Sequence, residues 1–186
     1  LGFQLGIQGL LSKESRLAYS AIDRQKVFAV AAAEEKAGRS LNLLPVNNQG
    51  DIQESSVSEN DLLVWQVANG ETGNLQGSPT SKAQTFADCT SSGIDHLPRF
   101  EYQSALFDST SWAGPAGVGV LVIKSSAKWR NPLPHNDLVR VPNSFSLPLV
   151  LASAVAMENY ATQSDIRLKL KKVIMICQLL VKGDTQ

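Results

Sequence analysis

The sequence predicts an α+β fold in which a long N-terminal helix packs on an antiparallel sheet. Residues 1–38 contain no proline and carry apolar side chains at three- and four-residue steps, the spacing of one helix face. Short apolar runs bounded by Gly, Asn and Pro follow, as is typical of strands joined by turns. We therefore divide the chain into an extended amphipathic helix over residues 1–44 and a globular antiparallel-sheet domain with one further short helix over residues 45–186.

The predicted N-terminal helix carries a continuous apolar face. Its members are Phe3, Ile7, Leu10, Leu17, Ala21, Phe28 and Ala32. Such a helix would be about 50 Å long, which exceeds a compact domain and favours packing between subunits. Gly38 suits the position after a helix end, although the helix could also bend there and end near Leu44.

Three runs in the middle of the chain are predicted to be strands, at residues 62–67, 99–107 and 120–123. The first is followed by the turn signal Asn69-Gly70, and the third is a β-branched run typical of a buried strand. Residues 77–97 are rich in Ser, Thr, Gly and Asp, which favours a long exposed connection. The sheet therefore begins after residue 60.

The C-terminal part is predicted to contain a helix and a final strand. Residues 149–160 are rich in Ala, Leu and Met and favour a short helix. Residues 166–171 alternate apolar and basic side chains, the pattern of a strand with one solvated face, and residues 173–181 continue as a strand or a helix. Prolines between residues 132 and 148 permit only edge strands.

Composition narrows the classes of function. The chain has 186 residues, 43% of them apolar, and a formal net charge of zero. A neutral chain argues against nucleic acid as a partner, because phosphate binding requires a basic surface. The chain begins without Met inside an apolar stretch, so any membrane contact is expected only through a missing upstream segment.

The motifs that could carry catalysis are incomplete. Ser125-x-x-Lys128 matches a nucleophilic serine pattern, but its partner motifs are absent. Gly114, Gly117 and Gly119 precede a strand, whereas phosphate-binding glycines follow one. We therefore predict no catalytic, cofactor-binding or metal-binding residue, and no cofactor.

Few side chains could form a thiol or metal site. They are Cys89, Asp95, His96 and His135. Their spacing lacks the paired ligands of a local metal signature. Cys89 and Cys177 would close a loop of almost half the chain if paired, and they would otherwise be buried thiols.

The N-terminal segment resembles the extended helix of type IV pilin-like minor pilins. The matching pieces are Gly6 and Gly9 in an apolar start, Ser15-Arg16-x-Ala18-Tyr19, Asp23-Arg24-Gln25, the alanine run at residues 29–33, and Arg39-Ser-Leu-Asn42. The resemblance implies an exported, non-enzymatic filament subunit at the cell surface or in the periplasm. It also implies that Cys89 and Cys177 form a disulfide.

The function predicted from the sequence is a structural subunit, most simply a pilin-like filament component, whose partners are copies of itself or homologous subunits. A viral coat or capsid-type subunit is an alternative, because short strands with a helical arm also build shells. A small enzyme or ligand-binding domain that uses Cys89 or His96 is another. An enzyme is the less favoured of these classes.

Overall fold

A computed structural model describes residues 1–133 and 146–162 and shows an α/β fold built on one six-stranded sheet. The strands are β1 (Leu17–Ser20), β2 (Leu41–Leu44), β3 (Leu62–Gln66), β4 (Gln84–Asp88), β5 (Ser104–Asp108) and β6 (Gly119–Ile123). The helices are α1 (Gly2–Gln8), α2 (Gln25–Lys36) and α3 (Leu147–Thr162). Short 3-10 turns cover Gly93–Asp95 and Ser109–Trp112.

The sheet is mostly parallel, so the predicted antiparallel sheet is wrong. The strand order is β2-β1-β3-β4-β5-β6, and only β6 runs antiparallel to its neighbour. Parallel neighbours require a crossover connection, which α2 supplies between β1 and β2. The carboxyl ends of β1 to β5 consequently meet at one edge of the sheet.

The predicted helix over residues 1–44 is also wrong, because this segment folds as α1, β1, α2 and β2. All four residues of β1 are buried, and β1 pairs with both β2 and β3. A strand buried on both faces loses the two-residue alternation that would identify it. Its apolar side chains therefore continue the three- and four-residue spacing of the flanking helices. The whole segment consequently has the sequence pattern of one helix face.

The loop before β1 is fixed by side chains from the end of α2. Arg39 donates hydrogen bonds to the carbonyl oxygens of Ser12, at 2.7 Å, and Ser15, at 2.6 Å. Its guanidinium also pairs with Glu34 at 2.7 Å. These contacts satisfy backbone carbonyls of a chain reversal that interrupts the helical pattern.

The residues of the predicted packing face lie in different environments. Phe3, Ile7, Leu10 and Leu17 are buried in one core cluster, Phe28 is partly buried against it, and Ala21 and Ala32 are exposed. The core side chains pack against the sheet, where Phe3 meets Phe86 at a ring distance of 5.9 Å. The apolar stripe thus fills the interior of this chain.

The middle of the chain shows both confirmed strands and a missed one. The predicted strands at residues 62–67, 99–107 and 120–123 correspond to β3, β5 and β6. However, β6 forms the edge of the sheet and is largely exposed. The predicted connection over residues 77–97 contains β4, which pairs with both β3 and β5.

The predicted helix at residues 149–160 is confirmed as α3. The indole nitrogen of Trp112 donates to the carbonyl oxygen of Ser153 at 3.1 Å and so fastens α3 to the body of the fold. The predicted elements at residues 166–171 and 173–181 lie outside the described residues. Among the helices that the structure describes, none is long and apolar enough to cross a membrane.

Candidate functional site

A polar cluster lies at the carboxyl edge of β1, β3 and β4. The chain leaves β1 toward β2 on one side, while β3 and β4 extend the sheet on the other side. The boundary between β1 and β3 is therefore a topological switch point, the place where open α/β sheets bind ligands. The side chains gathered there are Asp23, Arg24, Asn69, Asp88 and Ser91.

Asp88 is the last residue of β4 and is 1% exposed. One of its carboxylate oxygens, Oδ1, accepts hydrogen bonds from the backbone N–H of Thr90 at 2.9 Å and from its hydroxyl at 2.6 Å. The other oxygen, Oδ2, has no hydrogen-bond partner within the described residues. Burial raises the pKa of Asp88, although the Thr90 hydrogen bonds and the charges of Arg24 and Lys26 act in the opposite direction.

Arg24 faces that free oxygen without bonding to it. The distance from Arg24 Nε to Asp88 Oδ2 is 3.6 Å, an ion pair longer than a hydrogen bond, and Nε also lacks a hydrogen-bond partner among the described residues. The Nη2 group of Arg24 donates to the hydroxyl of Ser91. The guanidinium is thus held at Nη2. Its Nε and Asp88 Oδ2 face each other without a hydrogen bond.

Asp23 places a second buried carboxylate beside this pair. Its Oδ2 accepts the backbone N–H of Ser20 at 2.6 Å, whereas Oδ1 has no partner within the described residues. Burial raises the pKa of Asp23 from 3.8 to about 7, with the charge of Asp88 contributing in the same direction. Asp23 therefore exchanges its proton near neutral pH, as a general acid or base requires.

The loop after β3 packs against the cluster. Asn69 donates to the carbonyl oxygen of Ile22 at 3.1 Å, which ties this loop to the loop after β1. At the next position, a Cβ on Gly70 would lie 2.6 Å from the hydroxyl of Ser91 and 3.5 Å from Nη2 of Arg24. Only a glycine leaves the Arg24–Ser91 contact undisturbed here.

The cluster has the electrostatic character of a binding site. Buried polar atoms in folded proteins are almost always hydrogen-bonded, and leaving them unpaired costs about 1–3 kcal/mol each. Here three such atoms, on Asp23, Arg24 and Asp88, share one edge of the sheet. A small ligand with both donor and acceptor groups would satisfy them.

The residues singled out from the sequence do not form a site. Cys89 is fully buried, and burial raises the pKa of its thiol to about 12, which suppresses the reactive thiolate. Asp95 and His96 are exposed in and after a 3-10 turn. No cluster of metal ligands exists within the described residues, and His135 and Cys177 lie outside them.

Ser125 and Lys128 lie in an exposed segment after β6, remote from the polar cluster because β6 runs antiparallel. The glycines at positions 114, 117 and 119 enter β6 through a tight turn, and Gly117 has φ of +86°. Neither motif joins the polar cluster, and the absence of catalysis by these residues stays a prediction. The Cys89–Cys177 disulfide stays a prediction.

Sequence reasoning missed the cluster because its members were assigned to the wrong elements. Asp23 and Arg24 had been placed inside the long helix, Asn69 and Gly70 were interpreted only as a turn signal, and Asp88 fell in a supposed connection. The run Thr85-Phe-Ala-Asp88 was the available signal. Recognised as a buried parallel strand, it would have placed a carboxylate at the carboxyl edge.

Apart from the polar cluster, a cavity of about 250 Å³ lies between the sheet and α3. Its lining is aromatic and aliphatic and includes Tyr102, Phe107, Trp112 and Met157. It contains no ionisable group apart from the Tyr102 phenol, so it offers packing space and no acid–base chemistry.

Comparison with solved structures gives the fold a name. A NifS-like protein superposes with a TM-score of 0.73 at 19% identity, over 96% of this chain and 57% of that one. DndA from Streptomyces lividans gives a TM-score of 0.72 at 17% identity, over 87% of this chain and 53% of that one. The fold is NifS-like. No protein-family model and no curated protein sequence matches the chain.

Two further structures with this fold have informative descriptions. The cysteine desulfurase CsdA from Escherichia coli gives a TM-score of 0.70 at 16% identity, over 86% of this chain and 50% of that one. SspA, described in complex with cysteine, gives a TM-score of 0.69 at 20% identity, over 92% of this chain and 57% of that one. This chain therefore spans about half the length of these proteins.

The NifS-like fold overturns the pilin interpretation. The prediction of a filament subunit with a pilin-like fold is wrong. The predicted cell-surface or periplasmic location rested on the same resemblance and is wrong as well. The expectation that an enzyme is the less favoured class is also wrong, because the structures that share the NifS-like fold include a cysteine desulfurase, which is an enzyme. Of the functions considered from the sequence, a small enzyme or ligand-binding domain agrees best with the fold, although Cys89 and His96 do not form its site.

Proposed function

We propose that this chain carries the amino-acid-binding part of an enzyme with a NifS-like fold, at the carboxyl edge of β1, β3 and β4. The observation that supports this proposal is the Asp88–Arg24 pair, whose facing atoms are 3.6 Å apart and lack hydrogen-bond partners within the described residues. A ligand that reaches these two buried atoms would gain two charge-assisted hydrogen bonds, which are about twice as strong as neutral ones.

A free amino acid has the complementary charges. Its ammonium group would donate to Asp88 Oδ2, and its carboxylate would accept from Arg24 Nε. SspA, which shares the fold, is described in complex with cysteine, and CsdA is described as a cysteine desulfurase. Both descriptions support a small zwitterionic amino acid as the ligand class.

Asp23 adds the capacity for proton transfer. Its pKa of about 7 leaves a mixture of protonated and ionised carboxyl groups at neutral pH. Asp23 Oδ1 is buried and forms no hydrogen bond within the described residues, so a ligand that reaches it would become its proton-transfer partner. We assign Asp88 and Arg24 to ligand binding and Asp23 to acid–base chemistry.

Isothermal titration of the chain with L-cysteine and L-alanine tests the proposal. We expect Asp88→Asn to weaken binding by about ten-fold or more, since a lost ionic hydrogen bond of about 1.4 kcal/mol has that effect. Asp61→Asn is the matched control. Asp61 is equally buried and pairs with Arg16 at 2.8 Å, but it precedes β3 and so lies at the opposite edge.

A second variant covers the case in which Asp88→Asn does not fold. Gly70→Ala would place a Cβ against Ser91 and displace the Arg24 guanidinium, so it should weaken binding while the sheet stays intact. Gly77→Ala is its control, because nothing lies within 4 Å of the added Cβ. Undiminished amino acid binding in folded Asp88→Asn and Gly70→Ala would refute the proposal.

A further inference from the structure

The polar cluster satisfies one requirement of a pyridoxal phosphate site and lacks another. Enzymes that act on amino acids through pyridoxal phosphate hold it as an imine with a lysine and face its pyridine nitrogen with an aspartate or arginine. Asp88, buried and with an open oxygen, fits the aspartate. The lysine is the part that residues 1–133 and 146–162 do not supply.

The topology places most of the described lysines away from the cluster. Lys82 lies two residues before β4 and pairs with Glu59 at 3.9 Å, at the amino edge. Lys124 follows the antiparallel β6 and pairs with Glu101 at 2.8 Å, also at the amino edge. Lys13 precedes β1 and Lys36 ends α2, so both also lie toward the amino edge of the sheet.

Lys26 is the one described lysine at the carboxyl edge, where α2 begins. It occupies the first turn of α2, is exposed, and forms no hydrogen bond or ion pair among the described residues. A lysine that forms imines is activated by removal from water in an apolar pocket or by a neighbouring cation. An exposed side chain on the outer part of a helix lacks the first of these environments.

We infer that the ligand of the Asp88 site is held without a covalent bond to any lysine of the described residues. This inference rests on the proposed amino-acid-binding function and deepens it. The ligand is a small zwitterion held reversibly by the Asp88 carboxylate and the Arg24 guanidinium, and pyridoxal phosphate does not fit as an imine-linked cofactor.

Borohydride reduction tests the inference directly. The whole chain is incubated with pyridoxal phosphate, reduced, digested and mapped by mass spectrometry, which reports on every lysine including those after residue 162. We expect low labelling spread over exposed lysines, with the same pattern in Asp88→Asn. Stoichiometric labelling of one lysine that Asp88→Asn abolishes would overturn the inference.

Titration of the wild type and of Lys26→Arg with pyridoxal phosphate, followed by the visible absorbance of the imine, provides the second measurement. The two proteins should give the same absorbance, because no imine forms at Lys26. A saturable imine band in the wild type that Lys26→Arg abolishes would contradict the inference. The two proposals fail separately: a wild-type chain that binds no amino acid refutes the function, whereas a specific lysine adduct refutes only the non-covalent mode.

Discussion

Asp23 and Asp88 are two carboxylates that the fold buries at the same sheet edge. Both have raised pKa values, chiefly through burial. The charge of Asp88 also raises the pKa of Asp23, whereas the charge of Arg24 acts to lower the pKa of Asp88. Buried carboxylates of this kind lower the stability of a protein when they ionise. Their retention at the edge where we propose ligand binding lowers stability, and function explains it better than stability does.

The pKa of Asp23 predicts a specific dependence of stability on pH. In the unfolded chain Asp23 ionises near 3.8, and in the folded chain near 7, so between these values only the folded state keeps the proton. Wild-type stability should therefore fall as the pH rises through this window and level off above it. Asp23→Asn removes this contribution, and the full effect is at most about 4 kcal/mol.

Urea unfolding at several values between about pH 5 and about pH 8 measures this difference. The variant should gain stability relative to the wild type as the pH rises. Asp51→Asn, at an exposed position, is the control and should show no such trend. A constant difference between Asp23→Asn and the wild type across the range would contradict the assigned pKa.

At the scale of elements, α3 is held to the rest of the fold along one face. The Trp112 indole donates to Ser153 O, the Tyr160 hydroxyl donates to Asp95 Oδ2 at 2.5 Å, and Met157 lines the neighbouring cavity. Much of the remaining apolar surface of the helix is exposed, including Leu147, Leu151 and Val155. The helix is therefore fixed mainly by the side of it that faces Trp112.

Trp112→Phe should release α3 selectively. The substitution removes the indole N–H that donates to the Ser153 carbonyl. It should lower the free energy of unfolding by about 1–2 kcal/mol. Amide hydrogen exchange over residues 147–162 should become faster while the strands stay protected. Trp129→Phe is the matched control, since it removes the indole donor to Leu5 O and affects α1. Equal exchange of α3 in the two variants would refute this role of Trp112.

At the scale of the whole molecule, Cys89 reports on global unfolding. Its side chain is fully buried within the sheet core, and burial raises the pKa of the thiol to about 12. In a Cys177→Ser variant, we expect iodoacetamide to label Cys89 only after unfolding, because the thiolate is the reactive form. Rapid labelling of the native variant would show that the core opens locally.

The same labelling decides the untested disulfide. Wild-type chain unfolded without reductant takes two labels if both thiols are free and none if Cys89 and Cys177 are paired. Self-association, expected from the sequence, likewise stays a prediction, although the supposed docking stripe of α1 and β1 is buried within this chain.

The sequence alone determined the elements whose signals are local. The β-branched run of β6, the apolar run of β3 and the alanine-rich α3 are long enough, and bounded by clear enough turn residues, to be predicted. The apolar stripe of the N-terminal segment was predicted to pack against other subunits, whereas Phe3, Ile7, Leu10 and Leu17 fill the interior of this chain. Their interpretation as one helix failed, because periodicity does not distinguish a doubly buried strand from a helix segment.

Only the tertiary structure decided the parallel sheet and the candidate site. β1 and β4 are short and become strands because neighbours pair with them on both sides. Asp88 and Arg24 are distant in sequence, and neither belongs to a motif with fixed spacing. Their ion pair exists because parallel strands bring their carboxyl ends to one edge, a consequence of chain topology that no local pattern contains.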